Sequence, residues 1–335
     1  MIAKRICLLI PLLLLPWGAV LALTAEQQLA RDIYRELIEI NTTDSLGDTT
    51  IAAEAMAKRL KAAGFSEADV QVLAPTERKG NLVARLRGTG KKKPLLLLAH
   101  LDVVEANRGD WSVDPFKFLE RDGYFYGRGT ADDKAMAAIF VANLIRYKKE
   151  GLRFDRDLIL ALTADEELGE VPTNGVAWLL KNHRQLIDAE FALNEGGGVG
   201  LLNGKPQVNN LQSSEKVFLL YRLEATNSGG HSSIPTRDNA IYRLAQGLAR
   251  LEKYDFPFKL NDTTRAYFER SAVGQAGQLG ADMLAIIREP PDAAAIERLT
   301  AIPRFNAQMR TTCVATRLQG GHADNALPQL ARATV

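Results

Sequence analysis

Cysteine is nearly absent from this 335-residue chain, which has only Cys7 and Cys313. Cys7 lies in an N-terminal segment that reads as removable, so the mature chain keeps one cysteine and no internal disulfide can hold the fold. Cys7 also lacks the small-residue context that precedes a lipidated cysteine. Charge of one sign is missing as well, since 42 basic and 40 acidic side chains leave a formal net charge of +2. So balanced a chain carries no electrostatic footprint for nucleic acid or an anionic membrane surface. The apolar run ICLLIPLLLLPW is broken by Pro11 and Pro16 and is too short for a stable membrane span. There is no internal repeat and no low-complexity tract. Gly196–Gly198 have no GK[ST] nearby, so they read as a tight turn and not a phosphate cradle.

What is present, 46% hydrophobic and 24% charged residues, is the composition of a folded globular protein long enough for two domains. Lys4 and Arg5 precede the apolar run, and small residues follow it up to Ala22. This is the pattern of a signal peptide over residues 1–22, which predicts an exported chain, periplasmic or extracellular, with no membrane span after cleavage. An uncleaved anchor is the alternative.

From Thr24 to Leu60, apolar residues recur at three-and-four spacing in two helices, separated at Asn41–Thr43 and stopped at Gly64. NLVARL, LLLLAHLDVV, DLILALTADEE and AEFALNEGGG read as strands with helices between the later ones. Strands with little alternation, separated by helices, predict an α/β fold: a largely parallel sheet covered by helices on both faces. After about residue 211 the texture changes. EKVFLLYRLEATN and TTCVATRLQGG alternate like half-exposed strands, with Cys313 packed as a small apolar side chain, and residues 260–308 read as a helical insert. The expected division is a catalytic domain over 23–211 and a smaller α+β domain over 212–335.

In open α/β sheets, ligands gather at the carboxyl ends of the strands. Four strand ends here offer acids or imidazoles: His100 with Asp102, Asp132 with Asp133, Glu166 with Glu167, and Glu195. Each alone is compatible with a solvated helix cap. Converging carboxylates would repel and raise one another's pKa unless something positive sat among them. A mixed histidine and carboxylate set is what zinc accepts, and a shared carboxylate would allow two ions to act together. In DEEL one glutamate can bind metal while its neighbour moves protons. Asp133 and Lys134 read as caps of the following helix, His183 and His322 as histidines without a role.

The motifs AHLDVV, GRGTADDK, TADEE, NEGGG, GGHSSIP and GGHADNALP occur in order over residues 28–335. Together they resemble the zinc-dependent aminoacylase and carboxypeptidase family that includes acetylornithine deacetylase, succinyl-diaminopimelate desuccinylase, carboxypeptidase G and carboxypeptidase S. The resemblance implies hydrolysis of an amide bond in an N-acyl amino acid or short peptide, with two zinc ions per chain (Co2+ or Mn2+ as substitutes). It implies that His100 and Glu195 bind one zinc, Glu167 the other, and Asp132 both. Asp102 would orient His100 and Glu166 would be the general base. His231 would steady the oxyanion, and Asn325 would bind substrate. The smaller domain would be a lid that forms a homodimer. Members of the family also have a last histidine ligand after the small domain. No residue here matches it, which predicts a C-terminally truncated member with one zinc short of a ligand. There are two rivals: a catalytically inactive scaffold or dimerisation protein, and a dinuclear aminopeptidase, which the separate GGHSSIP region disfavours.

Overall fold

The computed structural model describes residues 23–335; the signal segment read over 1–22 lies outside the described residues. The chain forms two compact units, the first ending at Glu195 and the second spanning Gly196–Val335.

The first unit opens with α1 (Ala25–Glu39), started by a capping box in which Thr24 and Gln27 satisfy each other's backbone N–H. α2 (Thr49–Ala62) begins at Asp48, whose carboxylate accepts the N–H groups of Thr50 and Ile51. It stops just before Gly64, which takes the left-handed conformation that closes many helices. Next are β1 (Val70–Leu73), β2 (Asn81–Leu86), β3 (Leu95–His100), a hairpin of β4 (Leu119–Arg121) and β5 (Tyr124–Tyr126), then α3 (Lys134–Lys149) and β6 (Leu158–Thr163). α4 (Gly175–Asn182), α5 (Arg184–Ile187) and β7 (Phe191–Leu193) complete it.

Five of these strands form one sheet in the order β1-β2-β6-β3-β7. The fold is α/β, and the sheet is mixed: β6, β3 and β7 run parallel, while β2 is antiparallel to both β1 and β6. All six residues of β6 are buried, which explains its unbroken apolar sequence. Leu158, Leu160 and Leu162 pack under α1, α2 and α3 with Ile33, Leu37, Met56 and Leu144. Ile159 and Ala161 face the other way, against Leu179 and Ile187 of α4 and α5. The parallel registers His100↔Thr163 and Leu97↔Leu193 bring the carboxyl ends of three strands to one edge. The acidic segments after each strand therefore leave the sheet side by side.

The second unit begins with a hairpin, β8 (Gly198–Leu202) and β9 (Lys205–Asn210), so residues 198–210 group with the second unit and not with the strand before them. The glycines at the start of this unit bend the chain, all with positive φ. Gly197 has φ +70°, and a Cβ there would lie 2.6 Å from the Asn210 carbonyl oxygen. Next come β10 (Arg222–Thr226), β11 (Gly230–His231), α6 (Ala240–Glu252), α7 (Asp262–Val273), α8 (Gln278–Ile286), α9 (Ala293–Thr300), α10 (Pro303–Met309), β12 (Arg317–Gly320), β13 (Ala326–Leu327) and β14 (Leu330–Thr334). β10 and β12 flank β14 in an antiparallel sheet under Ala240 and Leu244 of α6. α7–α10 enclose their own core of Phe268, Met283, Leu299 and Phe305, as the helical reading of this stretch expects.

Two expectations are corrected here. Cys313 is exposed rather than packed, and the alternating runs around β10 and β12 are strand over only part of their length. Both strands pair with β14, which offers partners from Leu330 to Thr334. Val217–Tyr221 lie beyond that ladder apart from the Tyr221–Val335 backbone pair, and their side chains are exposed. No helix among the described residues is long and apolar enough to cross a membrane.

Candidate metal centre

β3 ends on His100, which is only 3% exposed. Its Nδ1 lies 3.0 Å from the Asp102 carbonyl oxygen, closer than the 3.6 Å to that residue's carboxylate. A carbonyl can only accept, so Nδ1 carries the proton, and in the neutral ring Nε2 offers its lone pair. That is the tautomer a metal ligand needs, set by an outer hydrogen bond. Nε2 faces Asp132 Oδ1 at 2.8 Å and Glu195 Oε2 at 3.7 Å.

Two ligand sets overlap on this histidine. The ligand atoms of His100, Asp132 and Glu167 lie within 4.8 Å of one another, and so do those of His100, Asp133 and Glu195. The proximity has an electrostatic signature. Burial alone would push His100 down, but hydrogen bonds and charge from Asp102, Asp132 and Glu195 outweigh it and raise it from 6.5 to about 10. Asp133 is raised to about 7, first by its own burial. Glu167 and Glu195 are also raised, by burial and then by Asp132, although His100 acts in the opposite direction. The pocket therefore favours positive charge, and a divalent cation in place of the imidazole proton fits this donor set.

The sequence reads Asp133 as a cap, but its side chain makes no cap bond to α3. It is 3% exposed and its Oδ2 accepts the His100 N–H at 3.3 Å. The only local signal for it is the doubled aspartate. Lys134 is also not a surface cap: it is fully buried, and Nζ donates to the carbonyls of Leu37 and Ile40 at the end of α1, at 2.9 and 2.8 Å. Burial lowers it to about 7. Tyr34 of α1 adds a hydrogen bond from its hydroxyl to the Thr130 carbonyl at 2.6 Å, so α1 holds the segment that presents Asp132.

Asp102 does more than face His100. Its Oδ1 and Oδ2 accept the backbone N–H groups of Glu166 and Glu167, at 3.1 and 3.0 Å. The two glutamates are thus fixed at the backbone while their side chains remain free to act.

His231 and Asn325 both lie in the second unit. β11 pairs with β13, matching His231 to Ala326, and the Ser232 N–H donates to the Asn325 carbonyl at 3.0 Å. The GGHSSIP and ADNALP motifs therefore meet. His231 Nδ1 accepts the Ser233 N–H at 3.1 Å and lies 2.7 Å from the Ser233 hydroxyl. A backbone N–H can only donate, so neutral His231 carries its proton on Nε2. The His183 ring packs against Trp178 at a tilt, with centroids 4.9 Å apart, and His322 is exposed.

An α/β sheet whose parallel strand ends bring a buried histidine together with carboxylates, joined by those of the β5–α3 connection, in a chain that also carries a smaller unit, is the build of a metal-dependent hydrolase. Residues 96–301 match the profile of Peptidase family M20/M25/M40, and the chain belongs to that family. It is 34% identical to the N-fatty-acyl-amino acid synthase/hydrolase PM20D1 of Xenopus tropicalis, across 72% of this chain and 48% of that protein. It is 32% identical to a probable carboxypeptidase S-like 2 of Dictyostelium discoideum, across 72% and 47%. The chain thus spans about half the length of the curated relatives it matches. In fold it is similar to the M20 family metallo-carboxypeptidase Sso-CP2 of Sulfolobus solfataricus, with a TM-score of 0.59 at 17% identity over 91% of this chain and 70% of that one.

Proposed function

We propose that this chain hydrolyses the amide bond of N-acyl amino acids or short peptides, using zinc held by His100, Asp132, Glu167 and Glu195. The observation that carries this reading is the pair of overlapping ligand sets, in which His100, Glu167 and Glu195 end or follow the parallel strands β3, β6 and β7 while Asp132 and Asp133, expected at a fourth strand end, come from the connection between β5 and α3. The printed names of the relatives, an N-fatty-acyl-amino acid synthase/hydrolase and a carboxypeptidase S-like protein, support the substrate class. The buried Asp133, within reach of both His100 and Glu195, is a further candidate ligand.

Zinc, when bound, polarises the scissile carbonyl and makes water more acidic. The rest falls to the chain. Glu166, its backbone fixed by Asp102, takes the proton of the attacking water and delivers it to the departing amine. His231, with its Nε2–H free to donate, stabilises the oxyanion, and Asn325 binds substrate; both roles rest on motif resemblance. Export, by the signal-like residues 1–22, and homodimer formation through the second unit belong to the same proposal.

The test is hydrolysis of a panel of N-acyl amino acids and dipeptides by the purified zinc-loaded chain and by Glu166→Gln. Loss of a general base lowers kcat by about 100-fold or more, with metal content unchanged and chelation abolishing turnover. Turnover that survives complete metal removal overturns the reading. One observation favours a variant of it: both ligand sets use His100, whose single free nitrogen serves one ion. A chain with one tightly held ion would fit that sharing.

A further inference from the structure

The turn that presents Glu166 and Glu167 is held by residues to which no role has been assigned. Asp165, directly before them, is 1% exposed and has φ +59°, a left-handed conformation that costs a residue other than glycine free energy and persists only where its surroundings enforce it. Its Oδ1 accepts from Lys79 Nζ at 2.6 Å and its Oδ2 from the Thr173 hydroxyl at 2.5 Å, while its carbonyl accepts from the Asn174 side chain at 3.2 Å. Lys79 lies in the connection between β1 and β2, upstream of the segment that matches the family. It is itself braced. Nζ also meets Asp44 Oδ1 at 2.7 Å, the adjacent Arg78 donates to the carbonyls of Gly47 and Asp44, and the Thr49 N–H donates to the Arg78 carbonyl. Two residues on, Asn81 Oδ1 accepts the Ala164 N–H at 2.9 Å.

We propose that Lys79 and Asp165 are positioning residues that set the backbone of the Glu166–Glu167 turn. Successive N–H groups next to a left-handed residue form a concavity that binds an anion. Here the anion is the Asp102 carboxylate, bound by the N–H groups of Glu166 and Glu167. The Lys79–Asp165 pair keeps residue 165 in the conformation that leaves both N–H groups converging on Asp102. Through this turn, the β1–β2 connection, braced by the α1–α2 connection, controls where the two glutamates stand. The functional half of the inference rests on the roles proposed above for Glu166 and Glu167.

The experiment is amide hydrogen exchange on the metal-free full chain, comparing wild type with Lys79→Met, Asp165→Asn and Lys79→Arg. Lys92→Met, which removes a separate ion pair with Asp155 at 2.7 Å, is the control. Zn2+ affinity is then measured for each. Lys79→Met and Asp165→Asn speed exchange at residues 164–169 by about tenfold or more, while β6 stays protected. Lys79→Arg and Lys92→Met exchange as wild type, and Lys79→Met binds Zn2+ about tenfold more weakly than Lys79→Arg. Unchanged exchange in the turn, or loss spread equally over β6, overturns the proposal. So does lost protection with undiminished Zn2+ affinity. Failure of wild type to bind Zn2+ would count against the proposed function, and the exchange result would still decide this one.

Discussion

The tautomers of His100 and His231 are each set by a backbone contact at Nδ1, and the two contacts have opposite consequences. His100 Nδ1 faces a carbonyl, which frees Nε2 to bind a cation; His231 Nδ1 accepts an N–H, which leaves Nε2–H as a donor. Nitrogen NMR of the histidine-labelled chain should show His231 as the Nε2–H tautomer at pH values where it is neutral. An Nδ1–H signal would remove its capacity as a donor at Nε2. The metal-free site also predicts a pH dependence. His100 and Asp133 are raised to about 10 and about 7, so folding favours their protonated forms. Their contribution is complete below the ordinary values and is lost as pH rises through about 7 for Asp133 and about 10 for His100. In chelator, the unfolding midpoint should fall between about pH 6.5 and pH 9, and His100→Asn should flatten that slope. Added Zn2+ should reverse the fall, since a bound ion replaces the proton. At this scale His100, Glu166, Glu167 and Glu195 could be read from sequence because each ends or closely follows an apolar strand of the sheet, whereas Asp132 follows the separate β4–β5 hairpin and was marked by its motif alone. Asp133 and Lys134 could not, because Asp133 is held by the His100 N–H, 33 positions upstream, and Lys134 by carbonyls at the end of α1, 97 and 94 positions upstream. Lys79 and Asp165 are likewise 86 positions apart.

Among the elements, the connection from β5 to α3 has little room for change. Gly129 has φ +86°, and a Cβ there would lie 2.9 Å from Lys134 Cδ and 3.0 Å from Val103 Cγ1. Gly129→Ala should therefore lower stability by about 1–3 kcal/mol in urea unfolding, by forcing a strained φ and displacing the buried lysine. A change within a few tenths would show that the segment can relax. Helix positions were legible from three-and-four spacing, with the first start at Thr24 and the stop at Gly64, while the Asp48 cap of α2 emerged only in the structure. The antiparallel course of β2 was not, since a buried strand reads the same in either direction. The lengths of β10 and β12 were hidden for a related reason: alternation persists where β14 offers no partner.

Taken as a whole, the chain carries its ligand-bearing strands in one unit and the two motifs containing His231 and Asn325 in the other. Order along the sequence was enough to recognise the family, because the six motifs occur in order, three of them where β3, β6 and β7 end. It could not show that residues 198–210 group with the second unit, since no change of composition separates them from the strand before. The most direct test of a working metal centre is elemental analysis of the purified chain and of Glu167→Ala and Glu195→Ala after equilibration with Zn2+. Two ions in wild type, with one lost in each variant, is the outcome expected of a dinuclear hydrolase. One ion that survives Glu167→Ala but not Glu195→Ala would establish the single-ion variant. No bound zinc in wild type, with the chain folded, would refute metal-dependent hydrolysis by these residues.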